Sequence, residues 1–260
     1  MRILLFFLFI TVAFSKDPIA LSNIDTNVAK VKIESGHKDG DIKDDIITSE
    51  IVVGDVILLT PTQKTLVSDK VLSFILAHLA NETWLNLGDM DAVVSNDDPP
   101  AIMDGHHKWA AAITINPNMK VKYIKINLTK NKLITVLNTY TVGKLNITKG
   151  KPSTGESIEQ AFINLESKIN NAYDNGINYG KTIYSAEKVK LLMSKVPGAN
   201  GDSLTGKQIL INNSKHNKIV KVSATELLKE EMPIIEKENI PQLINDLNDG
   251  KIDINEPFYK

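Results

Sequence analysis

One stretch organises the rest of this sequence: Asp104-Gly105-His106-His107-Lys108-Trp109-Ala110-Ala111-Ala112. The run before it, 100–103, predicts a strand, and the run after it, 120–126, alternates apolar and polar residues as a strand does. Between them, residues 109–113 favour a helix, and no breaker follows until Asn116-Pro117. The predicted local order is therefore strand, polar turn, short helix and strand.

The predicted turn places five chemically useful residues directly before a helix. Gly105 allows an unusual backbone angle and a close approach by a ligand, and the first N–H groups of a helix attract anions. Because His106, His107 and Lys108 add potential positive charge, we expect a phosphate-bearing ligand here. Asp104 is the candidate ligand of a divalent cation such as Mg²⁺ or Mn²⁺. Asp104 and His106 are also the candidate catalytic pair, with His106 as general acid or base near neutral pH.

Each of these residues also has a structural interpretation. Asp104 is a good helix cap, and Lys108 is of a type that is usually exposed. The two adjacent imidazoles should point in different directions, so that one faces the site while the other packs or faces solvent. Trp109 is expected to anchor the helix in the core rather than to stack on a base. Because a turn side chain buries little apolar area, we expect His106→Ala to leave the fold nearly intact.

The turn resembles the signature box of the ParB/sulfiredoxin superfamily. Its residues 104–107 are most similar to the ParB-like nuclease branch, which carries Asp-Gly-His-His and, further upstream, a Pro-Thr-Gln box. That second box is matched by Pro61-Thr62-Gln63, and the resemblance covers roughly residues 50–130. It implies a mixed α/β (α+β) domain in which Thr62 and Gln63 line the wall opposite the Asp104–Lys108 turn. It also implies that His106 occupies the position of the key acid or cysteine of sister branches, and His107 that of their basic residue.

Two departures from the superfamily limit what the resemblance implies. The chain has no cysteine, which excludes the chemistry of sulfiredoxin. Its formal net charge is -1, so it lacks the overall basic field of a DNA-binding protein, and no helix-turn-helix reader is visible. Chromosome partitioning is therefore not the expected role.

The first residues predict a secreted protein. Met1-Arg2 is followed by an apolar run, 3–12, and Ala13-Phe14-Ser15 offers the small residues that a signal peptidase requires. The run is shorter than the roughly 20 residues needed to cross a bilayer, so we expect a cleaved signal, 1–15, rather than a membrane anchor. The mature protein is then expected in the secretory pathway or outside the cell, with no membrane association.

Four Asn-x-Ser/Thr sequons are candidate glycosylation sites in a eukaryotic secretory pathway. Asn127, which ends a predicted strand, is the one expected to be buried. A sequence rich in Asn also generates sequons by chance. The four asparagines are Asn81, Asn127, Asn146 and Asn212.

The remaining patterns predict a leader, 16–49, an α/β domain, 50–148, and a mainly helical C-terminal region, 149–260. In the first two parts, 27–34 favours an edge strand and 51–59 favours strands. Ser68-Asp69 is predicted to cap a helix that carries a structural His78. The run 132–142 is compatible with either a further strand or a helix.

The C-terminal region is predicted to begin with a linker, 149–155. Ser153 and Glu156 match a capping box for a helix over 156–174, and 185–195 and 241–248 predict two further helices. Ser223 is predicted to open another helix. Two β-type runs, 209–211 and 219–222, flank a polar segment and predict a hairpin.

Two classes of function remain open from the sequence. One is a metal-dependent phosphoesterase, nuclease or phosphotransferase that uses Asp104 and His106. The other is a non-enzymatic module that binds a phosphate-bearing small molecule or a nucleic acid in the same turn. Because a charge-assisted hydrogen bond contributes about 1.5–3 kcal/mol, losing His106 or Lys108 is expected to weaken binding about tenfold or more.

Overall fold

The structure is a computed structural model of the chain. It describes residues 21, 24–34, 46–81, 87–148, 155–217 and 237–252. The predicted signal, most of the predicted linker with Ser153, the predicted strand 219–222 and the predicted helix at Ser223 lie outside the described residues.

A mixed five-stranded sheet forms the centre of the fold, which is of the α/β class. Its order is β1-β6-β4-β5-β2, with β1 and β6 antiparallel, β6 and β4 parallel, β4 and β5 antiparallel, and β5 and β2 parallel. Two small antiparallel pairs, β3 with β7 and β8 with β9, lie outside it. The strands are β1 Ser49–Asp55, β2 Thr60–Pro61, β3 Thr65–Leu66, β4 Gly88–Val94, β5 Ala101–Asp104, β6 Lys120–Ile126, β7 Glu156–Ser157, β8 Ile177–Tyr179 and β9 Thr182–Tyr184.

The helices cover both faces of the sheet. Alternation along the strands separates two apolar clusters, because successive side chains point to opposite faces. Ala92 and Ile102 face the cluster with α2, α3, α5, α6 and α7, whereas Val93 and Met103 face the cluster with α4 and α8. The helices are α1 Thr26–Glu34, α2 Ser68–Ala80, α3 His106–Ile115, α4 Lys130–Gly143, α5 Ile158–Asn175, α6 Ala186–Met193, α7 Ser203–Asn217 and α8 Ile240–Asn248.

Two strand predictions were wrong. Residues 27–34, expected as an edge strand, form most of α1, which packs on α4. Residues 209–211, expected as one strand of a hairpin, lie inside α7. There Leu210, Ile211, Ser214 and Asn217 are buried at helical spacing against the first cluster, so burial overrides the β-branched composition. The ambiguous run 132–142 belongs to a helix, α4.

The predicted helix caps also differ from the observed ones. Ser68 is the first residue of α2 rather than its cap, and its hydroxyl donates to the Glu156 carboxylate at 3.1 Å. The N-cap of α5 is Ser157, whose hydroxyl accepts the Gln160 amide hydrogen. Ser185, the first residue of the predicted helix 185–195, is the N-cap of α6, and its hydroxyl accepts the Lys188 amide hydrogen.

The C-terminal helices complete the core of the predicted α/β domain. The Trp109 ring packs edge-on against Phe162 of α5, with 6.2 Å between ring centroids, and both side chains are buried. Asn213 of α7 donates to the carbonyl of Thr114 at the end of α3. One apolar cluster therefore joins residues on either side of position 149. Within the described residues, no helix is both long and apolar enough to cross a membrane.

Candidate functional site

Gly105 shapes the turn between β5 and α3. Its φ of 98° lies in the left-handed region, and Gly105 is the N-cap of α3. A Cβ built on Gly105 would lie 2.7 Å from the Cβ of Ala92 on the neighbouring strand β4, too close for two carbon atoms. Both the backbone angle and the close approach of β4 therefore require glycine at this position.

His106 is buried and holds the Pro-Thr-Gln segment. Its Nε2 accepts the backbone amide hydrogens of Thr62 at 3.1 Å and Gln63 at 3.0 Å. The Thr62 hydroxyl donates to the carbonyl of Ile102 and so cannot also donate to this nitrogen. Because Nε2 is an acceptor, the ring is neutral with its proton on Nδ1. The two boxes noted in the sequence are thus in direct contact, and His106 is the residue that joins them.

His107 makes an equivalent contact with a different element. Its Nε2 accepts the amide hydrogen of Val67 at 3.1 Å, and Val67 is the N-cap of α2. The two adjacent imidazoles point in different directions, as expected, but each of them fixes a backbone segment. The start of α2 is therefore held beside the start of α3.

Burial keeps both imidazoles neutral. It lowers the pKa of His106 to about 3, assisted by the nearby His107, while the hydrogen-bonded carbonyl of Ile102 acts in the opposite direction. Burial and the ammonium of Lys70 lower the pKa of His107 to about 4. A group with a pKa near 3 stays deprotonated at neutral pH, so His106 does not suit the expected role of general acid or base there.

Lys108 belongs to a cluster of charges beside the turn. Its Nζ lies 3.1 Å from an Asp91 carboxylate oxygen, and Lys237 pairs with the other oxygen of the same carboxylate. Burial lowers the pKa of Lys108, whereas Asp104 and Asp89 raise it. Asp91 has φ 48°, a left-handed angle that is uncommon for aspartate. The half-buried ammonium therefore lies in a fixed position at the start of α3.

The Asp104 carboxylate bonds to the main chain of the turn. Its Oδ1 accepts the amide hydrogen of the next residue, Gly105, at 2.8 Å, and Gly105 itself occupies the capping position. Among the residues that the structure describes, no group of three or more histidine, aspartate or glutamate side chains is placed to hold a metal ion.

Trp109 is a core residue, as the sequence predicted. Its side chain is fully buried, and its Nε1 donates to the carbonyl of Val56 at 3.3 Å. It anchors α3 from within and does not face the surface of the turn.

Other residues of this region could not be found from the motif. Val67, Ala92, Asp91 and Glu156 come from 12 to 52 positions away in the sequence, and only the fold brings them to the turn. The left-handed angle of Asp91 has a local cause, because the Asp89 Oδ1 accepts the Asp91 amide hydrogen at 3.2 Å and aspartate tolerates this region. The Glu156 carboxylate was interpreted as part of a cap for α5, yet it reaches Ser68 of α2.

All four sequon asparagines are exposed, including Asn127, which was expected to be buried. Both ends of the Asn127 side-chain amide nevertheless form hydrogen bonds. Its Oδ1 accepts the Thr48 amide hydrogen at 2.9 Å, and its Nδ2 donates to the carbonyl of Ile46 at 3.2 Å.

No family model, no curated protein and no solved structure matches this chain.

Proposed function

We propose that this chain is a secreted ParB-like protein that binds a phosphate-bearing ligand at the start of α3, without using its histidines in catalysis. The observation that carries the proposal is a pair of neighbouring helix starts whose N-cap residues contribute no side-chain hydrogen bond. Helices α2 and α3 begin on Val67 and Gly105, which give no side-chain hydrogen bond, and His107 joins the two starts.

At five other helices, side-chain oxygens of the chain accept amide hydrogens of the first turn. The helices are α1, α4, α5, α6 and α7, and the oxygens come from Asp25, Asp97, Ser157, Ser185 and Asp202. The first amides of a helix have no partner inside the helix and carry partial positive charge. Two neighbouring starts whose N-cap residues contribute no side-chain acceptor therefore favour an external anion.

The charges around the two starts support an anion on the α3 side. Lys108 lies in the first turn of α3, and its ammonium has three donors, of which Asp91 takes one. Lys70 in the first turn of α2 is close enough to lower the pKa of His107. On the α2 side, the Glu156 carboxylate already lies against Ser68. The ligand phosphate is therefore assigned to the Gly105–Lys108 backbone.

A binding function is preferred to an enzymatic one because both imidazoles already serve as hydrogen-bond acceptors for the main chain. Both Nε2 atoms accept main-chain amides, and both rings are neutral. A hydrolase of phosphate esters needs a group that exchanges a proton or holds a metal near the substrate. Asp104 is the remaining candidate for that role.

Calorimetric titration tests the proposal with inorganic phosphate, ATP, CTP and short DNA and RNA oligonucleotides, each with and without Mg²⁺. We expect at least one to bind, and Lys108→Gln to weaken that binding about tenfold or more, since one charge-assisted hydrogen bond is lost. Lys188→Gln is the matched control, because Lys188 is exposed on α6. Absence of binding at millimolar concentrations, or equal loss in the control, would contradict the site. Hydrolysis that disappears in Asp104→Asn would favour the enzyme instead.

A further inference from the structure

Strand β1 forms one edge of the five-stranded sheet. All seven residues, Ser49–Asp55, are paired with β6 in one continuous register without a bulge. In the part of the chain that the structure describes, no strand pairs with its other side. An edge strand of this kind presents a row of unpaired backbone donors and acceptors.

The hydrogen bonds to β6 identify which backbone groups face outward. The amide of Asn127 donates to the carbonyl of Thr48, and the amide of Val56 donates to the carbonyl of Met119. Both bonds continue the register of the strand pair. On the β1 side they belong to Thr48 and Val56, which are even-numbered, so the even-numbered residues between them also face β6. Because hydrogen-bonded and non-hydrogen-bonded pairs alternate in an antiparallel ladder, the N–H and C=O groups of Ser49, Ile51, Val53 and Asp55 face outward.

The side chains of β1 make this edge apolar. Ile51 is 72% exposed and Val53 is 53% exposed, and they lie on the same face of the sheet. Val52 lies on the opposite face and packs against the first apolar cluster. Protected edges in monomeric proteins carry charged side chains, above all lysine, or proline or a bulge. Strand β1 has no lysine, proline or bulge, and its two charged residues, Glu50 and Asp55, lie outside the apolar centre 51–53.

We propose that β1 of a second copy of this chain pairs antiparallel with β1, so that the two sheets form one continuous sheet across a two-fold axis at Val52. In this register the outward-facing groups of both strands are satisfied along their full length, by about eight main-chain hydrogen bonds. Ile51 of each copy lies beside Val53 of the other on the exposed face. The four side chains then cover one another.

The edge is self-complementary in charge as well as in length, which favours a second copy over an unrelated partner. Glu50 of one copy lies opposite Gly54 of the other, so like charges do not face each other. The Tyr123 hydroxyl lies directly over Gly54, where a donor can meet the incoming Glu50 carboxylate. Ser49 lies opposite Asp55, whose carboxylate is already neutralised by Lys120 at 2.7 Å.

Sedimentation equilibrium of the purified protein tests the association. We expect a dimer for the natural chain and a monomer for Ile51→Lys and Val53→Lys, since each places two ammonium groups close together across the axis. Ile183→Lys is the matched control, because Ile183 is equally exposed at 75% but lies on β9. A monomeric natural chain at about 100 µM, or a dimer that survives both β1 substitutions, would overturn the proposal.

Cross-linking tests the register, because the chain contains no cysteine. Val52→Cys places two thiols opposite each other at a non-hydrogen-bonded pair, where the Cα atoms are roughly 4.5 Å apart. We expect mild oxidation to convert most of this variant to a covalent dimer and to leave Ile183→Cys largely monomeric. Equal cross-linking of the two variants would exclude the proposed pairing.

Discussion

The environment of His106 reverses the expectation drawn from its position in a turn. A turn histidine is usually solvated and replaceable, whereas this side chain is 2% exposed and is the acceptor for two amides. His106 is therefore a fixed, neutral hydrogen-bond acceptor that holds the loop at Thr62 and Gln63 in place.

His106→Ala is therefore expected to destabilise the protein rather than to leave its fold intact. The buried Thr62 amide and the partly buried Gln63 amide both lose their acceptor, and an unsatisfied buried donor costs about 1–3 kcal/mol. We expect a fall of about 2–5 kcal/mol in the free energy of unfolding, measured by urea denaturation.

The matched control for this change is His216→Ala, since His216 is exposed on α7. We expect that substitution to change the free energy of unfolding by less than about 0.5 kcal/mol. Equal stability of the two variants would show that the Thr62 and Gln63 amides find another partner, and would remove the structural role of His106.

Helix α3 and the strands around it followed from the sequence, because their signals are local. The polar turn, the helix formers and the alternating run 120–126 lie within one continuous segment. The contacts that fix the site did not follow, because His106 and His107 bond to residues 40 to 44 positions away. The strand interpretation of 209–211 failed for a related reason, since short apolar runs look alike in a buried helix and a strand.

The close packing of β4 against the start of α3 makes a prediction about Gly105. In Gly105→Ala, the new methyl group would lie 2.7 Å from the Ala92 Cβ, and the φ of 98° would also be strained. We expect a loss of about 2–4 kcal/mol in stability, the sum of the backbone cost and the steric cost. The measurement is again the free energy of unfolding in urea.

Gly201→Ala separates the two contributions. Gly201 has a comparable φ of 84°, but a Cβ there would meet nothing within 4 Å. We expect this control to lose only about 1–2 kcal/mol, which is the cost of the left-handed angle. If the two variants lost the same amount, close packing against β4 would not explain the glycine.

The first apolar cluster, which surrounds the site, contains residues from both sides of position 149. Trp109 from α3 and Phe162 from α5 pack together, and β3, which follows the Pro-Thr-Gln segment, pairs with β7 just before α5. The segment that carries His106 is therefore supported by residues far beyond the region of the resemblance. This arrangement explains why global stability should respond to the protonation of histidines in the site.

Two buried histidines, His78 and His106, and the partly buried His107 predict that stability falls as the pH is lowered from 7 to 5. Burial lowers the pKa of His106 to about 3, and those of His78 and His107 to about 4. In the unfolded chain their pKa is about 6.5, so between pH 6.5 and pH 4 the unfolded state binds more protons than the folded state. The stabilisation is complete above pH 6.5 and is lost as the pH falls. By pH 5 we expect a loss of about 2 kcal/mol for each histidine.

Urea denaturation at pH 7 and pH 5 measures this loss, and a variant assigns it. In His106→Gln, an amide oxygen replaces the acceptor and one titrating group is removed, so the difference between the two pH values should shrink by about 2 kcal/mol. His216→Gln should leave the difference unchanged, since that side chain is exposed. Equal stability of the natural chain at pH 7 and pH 5 would contradict the lowered pKa values of these three imidazoles. A pH response that His106→Gln does not reduce would locate the titrating groups elsewhere in the chain.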